Sequence, residues 1–499
     1  MEELLYESTR GREKGIPASL AILKGLAEDG GLYLPERIPV LSADLEELAA
    51  MNYQETAYTV MKEFLTDFTE AELKECISRA YDSKFDTEEI APLAKAAGSY
   101  FLELFHGKTI AFKDMALSIL PYLMTAAAKK NHVSKEIVIL TATSGDTGKA
   151  AMAGFAGVPG TRIVVFYPRD GVSRIQELQM VTQEGDNTAV IGLLGNFDDA
   201  QTGVKKIFSD RKFAQELDDM GYILSSANSI NIGRLVPQIV YYVYAYAKMY
   251  ASGEIQKGET VNVAVPTGNF GNILAAWFAK QMGIPFGKLI CASNENRVLF
   301  DFFSTGVYDR NREFVITTSP SMDILVSSNL ERLLYLSCGR NAEETRARMD
   351  ALAETGRYAI TEEMREFMRD FTGGTAGTEE TAEEIRTVFE GSGYLVDPHT
   401  AVAASAVRKY RRQTGDGTKT LIASTASPYK FPETVLAALG RTAEGDSALQ
   451  AAEKLQEISG LPVPDAIAGL DTAPIRHTRV CRPEEMAETV KSTFSNNGK

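Results

Sequence analysis

Lys113 lies in the stretch His106-Gly107-Lys108-Thr109-Ile110-Ala111-Phe112-Lys113-Asp114, with two apolar residues before it and a carboxylate after it. Beyond it Met115, Leu117, Ile119 and Leu120 have helical spacing, so one face of that segment is set to be buried. An amine held against such a face loses hydration, which lowers its pKa, and a partly neutral amine is what condensation with a carbonyl needs. The competing reading is a solvated lysine at a helix start, since most lysines are surface charges.

Two further stretches have the chemistry of anion-binding loops. In the first, an apolar run ending at Val265 enters Pro266-Thr267-Gly268-Asn269-Phe270-Gly271-Asn272 and then a helical pattern. A helix amino-terminus beyond a strand offers unpaired N–H groups, and Gly268 and Gly271 let the backbone approach an anion closely. Lacking lysine and arginine, this loop would hold a phosphate with amides and the Asn and Thr side chains; a plain strand-to-helix turn is the alternative. The second loop, Thr143-Ser144-Gly145-Asp146-Thr147-Gly148-Lys149, follows an apolar run ending at Ala142. It is not a nucleotide-triphosphate loop, because Thr143 stands where glycine is required and Ala150 where Ser or Thr is required. Two phosphate-type loops and one lysine in an apolar setting suggest a phosphorylated carbonyl cofactor bound covalently, with a second anion opposite it. Pyridoxal phosphate is the simplest choice.

The elements that must position these residues follow from periodicity. Residues 1–92 read as a small α-rich amino-terminal domain, with helix patterns over Leu45–Met61 and Thr69–Ala80 and Thr69 as a cap. From about Ser99, apolar strands alternate with helices: Tyr100–Phe105, Glu136–Ala142 and Arg162–Tyr167, with Ala189–Gly192 and Tyr222–Leu224 weaker. Such alternation indicates a parallel sheet covered on both faces. We expect a first α/β lobe over 93–225 and a second over 226–440, the latter with strands Thr260–Val265, Lys288–Ala292 and Thr420–Ala423. A helical insertion is expected at about 309–390, with Gly373-Gly374-Thr375-Ala376-Gly377 as a flexible linker, and 441–499 reads as a capping tail. The fold class is therefore α/β, two open parallel-sheet lobes with helices on both faces.

With 499 residues the chain can bury several cores, and 44% hydrophobic with 24% charged residues is an ordinary soluble composition. The net charge of −15 argues against nucleic-acid and anionic-membrane surfaces, so any anion must be held locally. Cys76, Cys291, Cys338 and Cys481 lack CxxC spacing and read as buried thiols in a reducing compartment. No signal peptide is visible at the acidic start, and Leu235–Tyr250 is too short and polar to span a bilayer; it reads as a buried helix rich in tyrosine. The chain reads as cytoplasmic. His106, His132, His399 and His477 show no metal spacing, and core or supporting roles are expected of them.

Several motifs together resemble the threonine synthases of the longer form, in the fold group of the tryptophan synthase β chain (fold type II of the pyridoxal phosphate enzymes). They are Ser8-Thr9-Arg10-Gly11, Asp29-Gly30-Gly31-Leu32-Tyr33, His106 to Asp114, Thr143 to Gly148, Asn228-Ser229-Ile230-Asn231 with Arg234, Pro266 to Asn272, and Ser424-Thr425-Ala426-Ser427-Pro428. The resemblance implies that Lys113 carries pyridoxal phosphate and that Gly268, Asn269, Phe270, Gly271 and Asn272 surround its phosphate. It puts Thr425 at the pyridine nitrogen, where a hydroxyl cannot hold a proton as a carboxylate would. Asp146 falls where relatives often have Asn beside the phenolic oxygen; a helix cap is the alternative.

For the substrate, O-phospho-L-homoserine, the resemblance points to Thr143, Ser144, Thr147, Asn228, Ser229 and Arg234. A leaving phosphate needs strong donors, which arginine provides, although Arg234 as a structural ion pair is also open. The implied activity is threonine synthesis, with phosphate leaving from Cγ and water adding at Cβ, in a monomer or homodimer. A related threonine or serine dehydratase and a non-catalytic paralogue are the alternatives.

Overall fold

The computed structural model describes residues 3–495 apart from 144, 145, 170, 173, 444 and 446. The amino-terminal region pairs β1 (Tyr6–Ser8) with β2 (Tyr33–Pro35) antiparallel and adds α1 (Ala18–Lys24), α2 (Leu45–Ala50), α3 (Tyr53–Phe64) and α4 (Glu70–Ala80). Three of these helices start at reciprocal capping boxes, Asp44 with Glu47, Asn52 with Glu55 and Thr69 with Glu72, which satisfy amino-terminal N–H groups that have no helical partner. Thr69 is thus the cap its spacing predicts.

Beyond it stand two sheets. The five-stranded one contains β5 (Glu136–Ala142), β6 (Thr161–Pro168), β7 (Thr188–Leu193), β8 (Tyr222–Ser225) and β15 (Val480–Cys481), in the order β15-β7-β6-β5-β8 and parallel throughout. The six-stranded one contains β3 (Leu93–Ala96), β4 (Ser99–Glu103), β9 (Val261–Pro266), β10 (Phe286–Ser293), β13 (Phe371–Thr375) and β14 (Thr420–Ser424). Its order is β13-β10-β9-β14-β4-β3, parallel except for the hairpin of β3 with β4. All six residues of β9 are buried, as befits a strand covered on both faces. A small pair, β11 (Val307–Asp309) with β12 (Arg357–Ala359), lies outside both sheets.

The connecting helices are α5 (Asp114–Leu117), α6 (Leu120–Lys130), α7 (Asp146–Phe155), α8 (Arg174–Val181), α9 (Phe197–Ser209), α10 (Arg211–Asp219), α11 (Ile232–Ala251) and α12 (Gly271–Gln281). Tyr241, Tyr242, Tyr244 and Tyr246 of α11 are all buried, so that helix is the predicted tyrosine-rich core element.

Three sheet assignments depart from the sequence reading. The strand before Lys113 joins the second lobe's sheet, because β4 pairs with β14 rather than with β5. The stretch expected to be a flexible linker forms the edge strand β13, where a side chain on Gly373 would meet Phe300 Cα at 2.9 Å and one on Gly374 would meet Ala406 Cβ at 2.6 Å. Close packing, and not flexibility, requires glycine there. The tail does more than cap, since Val480 and Cys481 extend the first lobe's sheet through β7. Cys338, expected to be buried, is partly exposed, whereas Cys76, Cys291 and Cys481 are buried. No described helix is long and apolar enough to cross a membrane.

Candidate active site

Lys113 sits where the two lobes meet. The segment leading to it is strapped to the end of β14: Leu104 N donates to Ser424 O, Phe112 N to Thr425 O at 2.8 Å, and Ser427 N to Ile110 O. Thr425 is therefore fixed one residue from the lysine, and it is buried. The turn before Lys113 is closed by Asp114, whose carboxylate accepts from Thr109 N at 2.8 Å and Thr109 Oγ1 at 2.6 Å. Ile110 takes φ +49, a left-handed conformation that a β-branched residue adopts only under strain. The chain thus holds the turn through contacts on both sides.

The amine is enclosed. Lys113 Nζ lies 3.2 Å from Ser321 Oγ and 3.4 Å from Asp146 Oδ2, and Ser321 Oγ donates to the same Asp146 oxygen at 2.8 Å. Burial pulls the lysine's pKa down; Asp146 pushes it up, and Lys430 and Arg234 press it down again. Asp146 opens α7, and its Oδ1 meets Lys430 Nζ at 2.8 Å. Burial alone would raise this carboxyl, but Lys430 and then Lys113 outweigh it and hold it well below the usual range. Asp146 is thus a carboxylate shared between two amines. Lys149, one helical turn along α7, is buried with no hydrogen-bond partner for Nζ among the described residues, and burial drives its pKa well down.

The Pro266 to Asn272 turn joins this cluster through Ser321. A side chain on Gly268 would come within 2.6 Å of Ser321 O, so only glycine admits the short helical turn Pro320–Met322 that carries the serine to Lys113. Phe270 caps α12 with φ +64, and the first N–H groups of that helix have no carbonyl of a preceding turn to meet. Asn269 O accepts from Asn329 N and Nδ2, and Gly268 O from Ser327 Oγ, which fixes the turn from outside. Asn272 Oδ1 accepts from Tyr241 Oη and Tyr242 Oη at 2.9 and 2.5 Å, while its Nδ2 is buried without a partner among the described residues. A buried, unsatisfied donor at a helix amino-terminus is a ready site for a phosphate. An enclosed amine and this cradle meet on one serine, which is the arrangement a phosphorylated aldehyde bound through Lys113 needs.

The second anion loop is less uniform. Thr143 is buried and its Oγ1 accepts from Gly148 N at 3.1 Å, so it also braces the start of α7. Thr147 is half-buried beside Asp146. Ser144 lies outside the described residues. In the other stretch Asn228 is exposed and Ser229 half-buried, whereas Arg234 is buried. Arg234 NH1 donates to Ala227 O at 3.1 Å, and among the described residues its Nε has no partner and no carboxylate pairs with it; burial pulls its pKa down to about 10. That leaves a guanidinium with a spare donor beside the lysine, and among the described residues it forms no structural ion pair.

Sequence reasoning missed Ser321, Lys430 and the support behind them. His399 Nε2 accepts from Ser321 N at 3.1 Å, and its Nδ1 meets Asp397 Oδ2 at 2.6 Å, which fixes the ring as an acceptor toward the serine turn. The one available signal was Lys430 itself, a lysine set in the apolar run Pro428-Tyr429-Lys430-Phe431-Pro432. His106 bonds Asp86 at 2.5 Å and Glu103 at 2.9 Å; burial would lower its pKa, but the two carboxylates push it up to about 9.

Comparison with known proteins adds identity to the geometry. Residues 5–81 match the family model "Threonine synthase N terminus", 87–425 match "Pyridoxal-phosphate dependent enzyme", and 400–493 match "Threonine synthase, C-terminal". Threonine synthase of Pseudomonas aeruginosa is 40% identical over 86% of this chain and 89% of its own length. Threonine synthase-like 1 of Homo sapiens is 40% identical over 84% of this chain, which spans 58% of the human protein's length. The solved structure of pyridoxal-phosphate-bound threonine synthase from Brucella melitensis superposes with TM-score 0.87 at 35% identity, covering 98% of this chain and 99% of that one.

Proposed function

The chain belongs to the threonine synthase family of pyridoxal-phosphate-dependent enzymes, and from that premise we propose that it converts O-phospho-L-homoserine and water to L-threonine and phosphate. The observation that carries the reading is the meeting, on Ser321, of the enclosed Lys113 amine and the Gly268 turn. Bound through Lys113, pyridoxal phosphate supplies an electron sink for the carbon next to the substrate's amino group.

The chain's own residues do the rest. The Asn272 amide and the first turn of α12 would hold the cofactor phosphate, and Thr425 would offer the pyridine nitrogen a neutral hydroxyl. Once released, the Lys113 amine moves protons among the α, β and γ carbons, its basicity set by burial and by Asp146. Arg234, with Asn228, Ser229, Thr143, Ser144 and Thr147, receives the substrate phosphate; the spare Nε donor of Arg234 is suited to the charge that develops as phosphate leaves. Enclosure of this charge between the lobes excludes bulk water. We read the protein as cytoplasmic.

Relatives named threonine synthase-like match as well as those named threonine synthase, which keeps a non-catalytic reading in play. One assay separates the readings. Purified protein with pyridoxal phosphate should bind it in a visible-absorbing form and release phosphate and threonine from O-phosphohomoserine, and Lys113→Ala should abolish both. Ammonia release from threonine would instead mark a dehydratase, and cofactor binding without turnover of either substrate would mark a non-catalytic relative.

A further inference from the structure

Three lysine amines (Lys113 among them), one guanidinium and two carboxylates are buried together, and the charges are not evenly matched. Lys113 faces Asp146 from α7, Lys430 from the turn after β14, and Arg234 from α11, with the Ser321 hydroxyl between. Below them Lys149 shares the field of Asp146 and Asp114, the latter already occupied by Thr109. Asp146 is the nearest counter-charge to both Lys113 and Lys430, and the two contacts are unequal. Lys430 stands 2.8 Å from Oδ1 and is anchored by donating to Thr109 O at 3.1 Å, whereas Lys113 stands 3.4 Å from Oδ2 and competes there with Ser321.

We propose that Lys430 is a positioning residue: by holding the Oδ1 side of Asp146 it prevents a full ion pair between Asp146 and Lys113, and so keeps the Lys113 amine available. The physical basis is competition in a dry site. A buried carboxylate facing a single lysine would fix the proton on that lysine, because neither charge could be released uncompensated. A second ammonium, closer to the carboxylate though not aligned as a hydrogen bond, shares its charge and also repels positive charge on Lys113. Both effects favour the uncharged amine that condenses with an aldehyde. Lys430 is fixed for this by position, as it is almost wholly buried and its own backbone turn is pinned by Lys430 N donating to Ser427 O.

The importance of the effect rests on the assignment of Lys113 as the cofactor-bearing amine; the contacts themselves do not. The test therefore uses the full-length cofactor-free protein and a readout independent of turnover. The rate at which an amine-selective acetylating reagent modifies Lys113 is followed against pH by mass spectrometry of its peptide. In Lys430→Met and in Lys430→Gln, which retains polarity without charge, the midpoint for Lys113 should move up by at least about one pH unit, making labelling roughly ten-fold slower below it. Lys430→Arg should restore the wild-type midpoint. Asp146→Asn should move it down, the opposite direction. A wild-type midpoint in either neutral variant, or an upward shift in Asp146→Asn, overturns the proposal. If one neutral variant does not fold, the other decides. Failure of the wild-type protein to bind pyridoxal phosphate would defeat the functional assignment above, while the labelling midpoints would still decide the role of Lys430.

Discussion

The two strand-to-helix loops at the centre of the molecule look alike and are used in opposite ways. Both leave the carboxyl end of a buried parallel strand, β9 in one lobe and β5 in the other, and both enter a helix within a few residues. At α12 the first turn contains no acidic residue, the capping position is occupied by Phe270 in a left-handed conformation, and the Asn272 amide nitrogen has no partner among the described residues. That terminus is open to an incoming anion. At α7 the first residue is Asp146, so the chain supplies its own anion at the positive end of the helix dipole and surrounds it with Lys430 and Lys113. On the proposed assignment, one loop receives negative charge and the other supplies it. A glycine-rich turn after a strand therefore indicates where a site will be, and the charge in the first helical turn indicates what it will do.

The sharpest way to break the contrast is to give α12 the acidic first turn of α7. Asn272→Asp replaces the unpaired amide by an oxygen while Tyr241 and Tyr242 still donate to the side chain. A carboxylate about 4 Å from a phosphate charge costs about 4 kcal/mol at an effective dielectric of 20. Pyridoxal phosphate affinity, measured by equilibrium dialysis, should fall at least about a hundred-fold. Unchanged affinity would show that the cofactor phosphate sits elsewhere. Gly268→Ala tests the shared wall between the loops. Its new methyl would lie 2.6 Å from Ser321 O, so backbone must move, at about 1–3 kcal/mol of stability. Thermal unfolding should register that loss and cofactor affinity should drop roughly ten-fold.

How much of this was legible in the sequence differs by residue. Lys113 and both loops stand out in the sequence because their signals are local: an apolar run, a glycine turn and a helical pattern within one short stretch. Ser321 could not, because it comes to Lys113 across a sequence separation of 208 and its own neighbourhood has neither strand nor helix periodicity. Lys430 and Asp146 become partners only when β14 and β5 face one another, and nothing in either motif names the other. The same limit explains the sheet errors. Gly373 and Gly374 read as flexible because glycine usually marks a turn, yet Phe300 and Ala406 pack where their side chains would be. Val480 and Cys481 form a strand of two residues, too short for alternation to show, and its partner β7 is nearly three hundred residues earlier. The parallel two-sheet architecture itself was legible because its buried strands are continuous apolar runs.

The smallest perturbation sharpens the comparison at its most delicate point, the orientation of one amide. Two tyrosines of α11 engage the oxygen of Asn272, which leaves its nitrogen as the free end among the described residues, and exchanging the two ends would present an acceptor to an anion. Tyr242→Phe removes one donor and leaves Tyr241 at 2.9 Å, without opening a cavity beyond the hydroxyl. Loss of one buried hydrogen bond costs about 1 kcal/mol. With one donor left the amide should remain correctly turned most of the time, so cofactor affinity should weaken by only about three- to five-fold. The companion Tyr241→Phe, Tyr242→Phe double variant releases the oxygen entirely, and its loss should exceed the product of the two single losses. Additive losses would mean that the tyrosines merely fill space around Asn272, and that the orientation of the cradle is set by the turn alone.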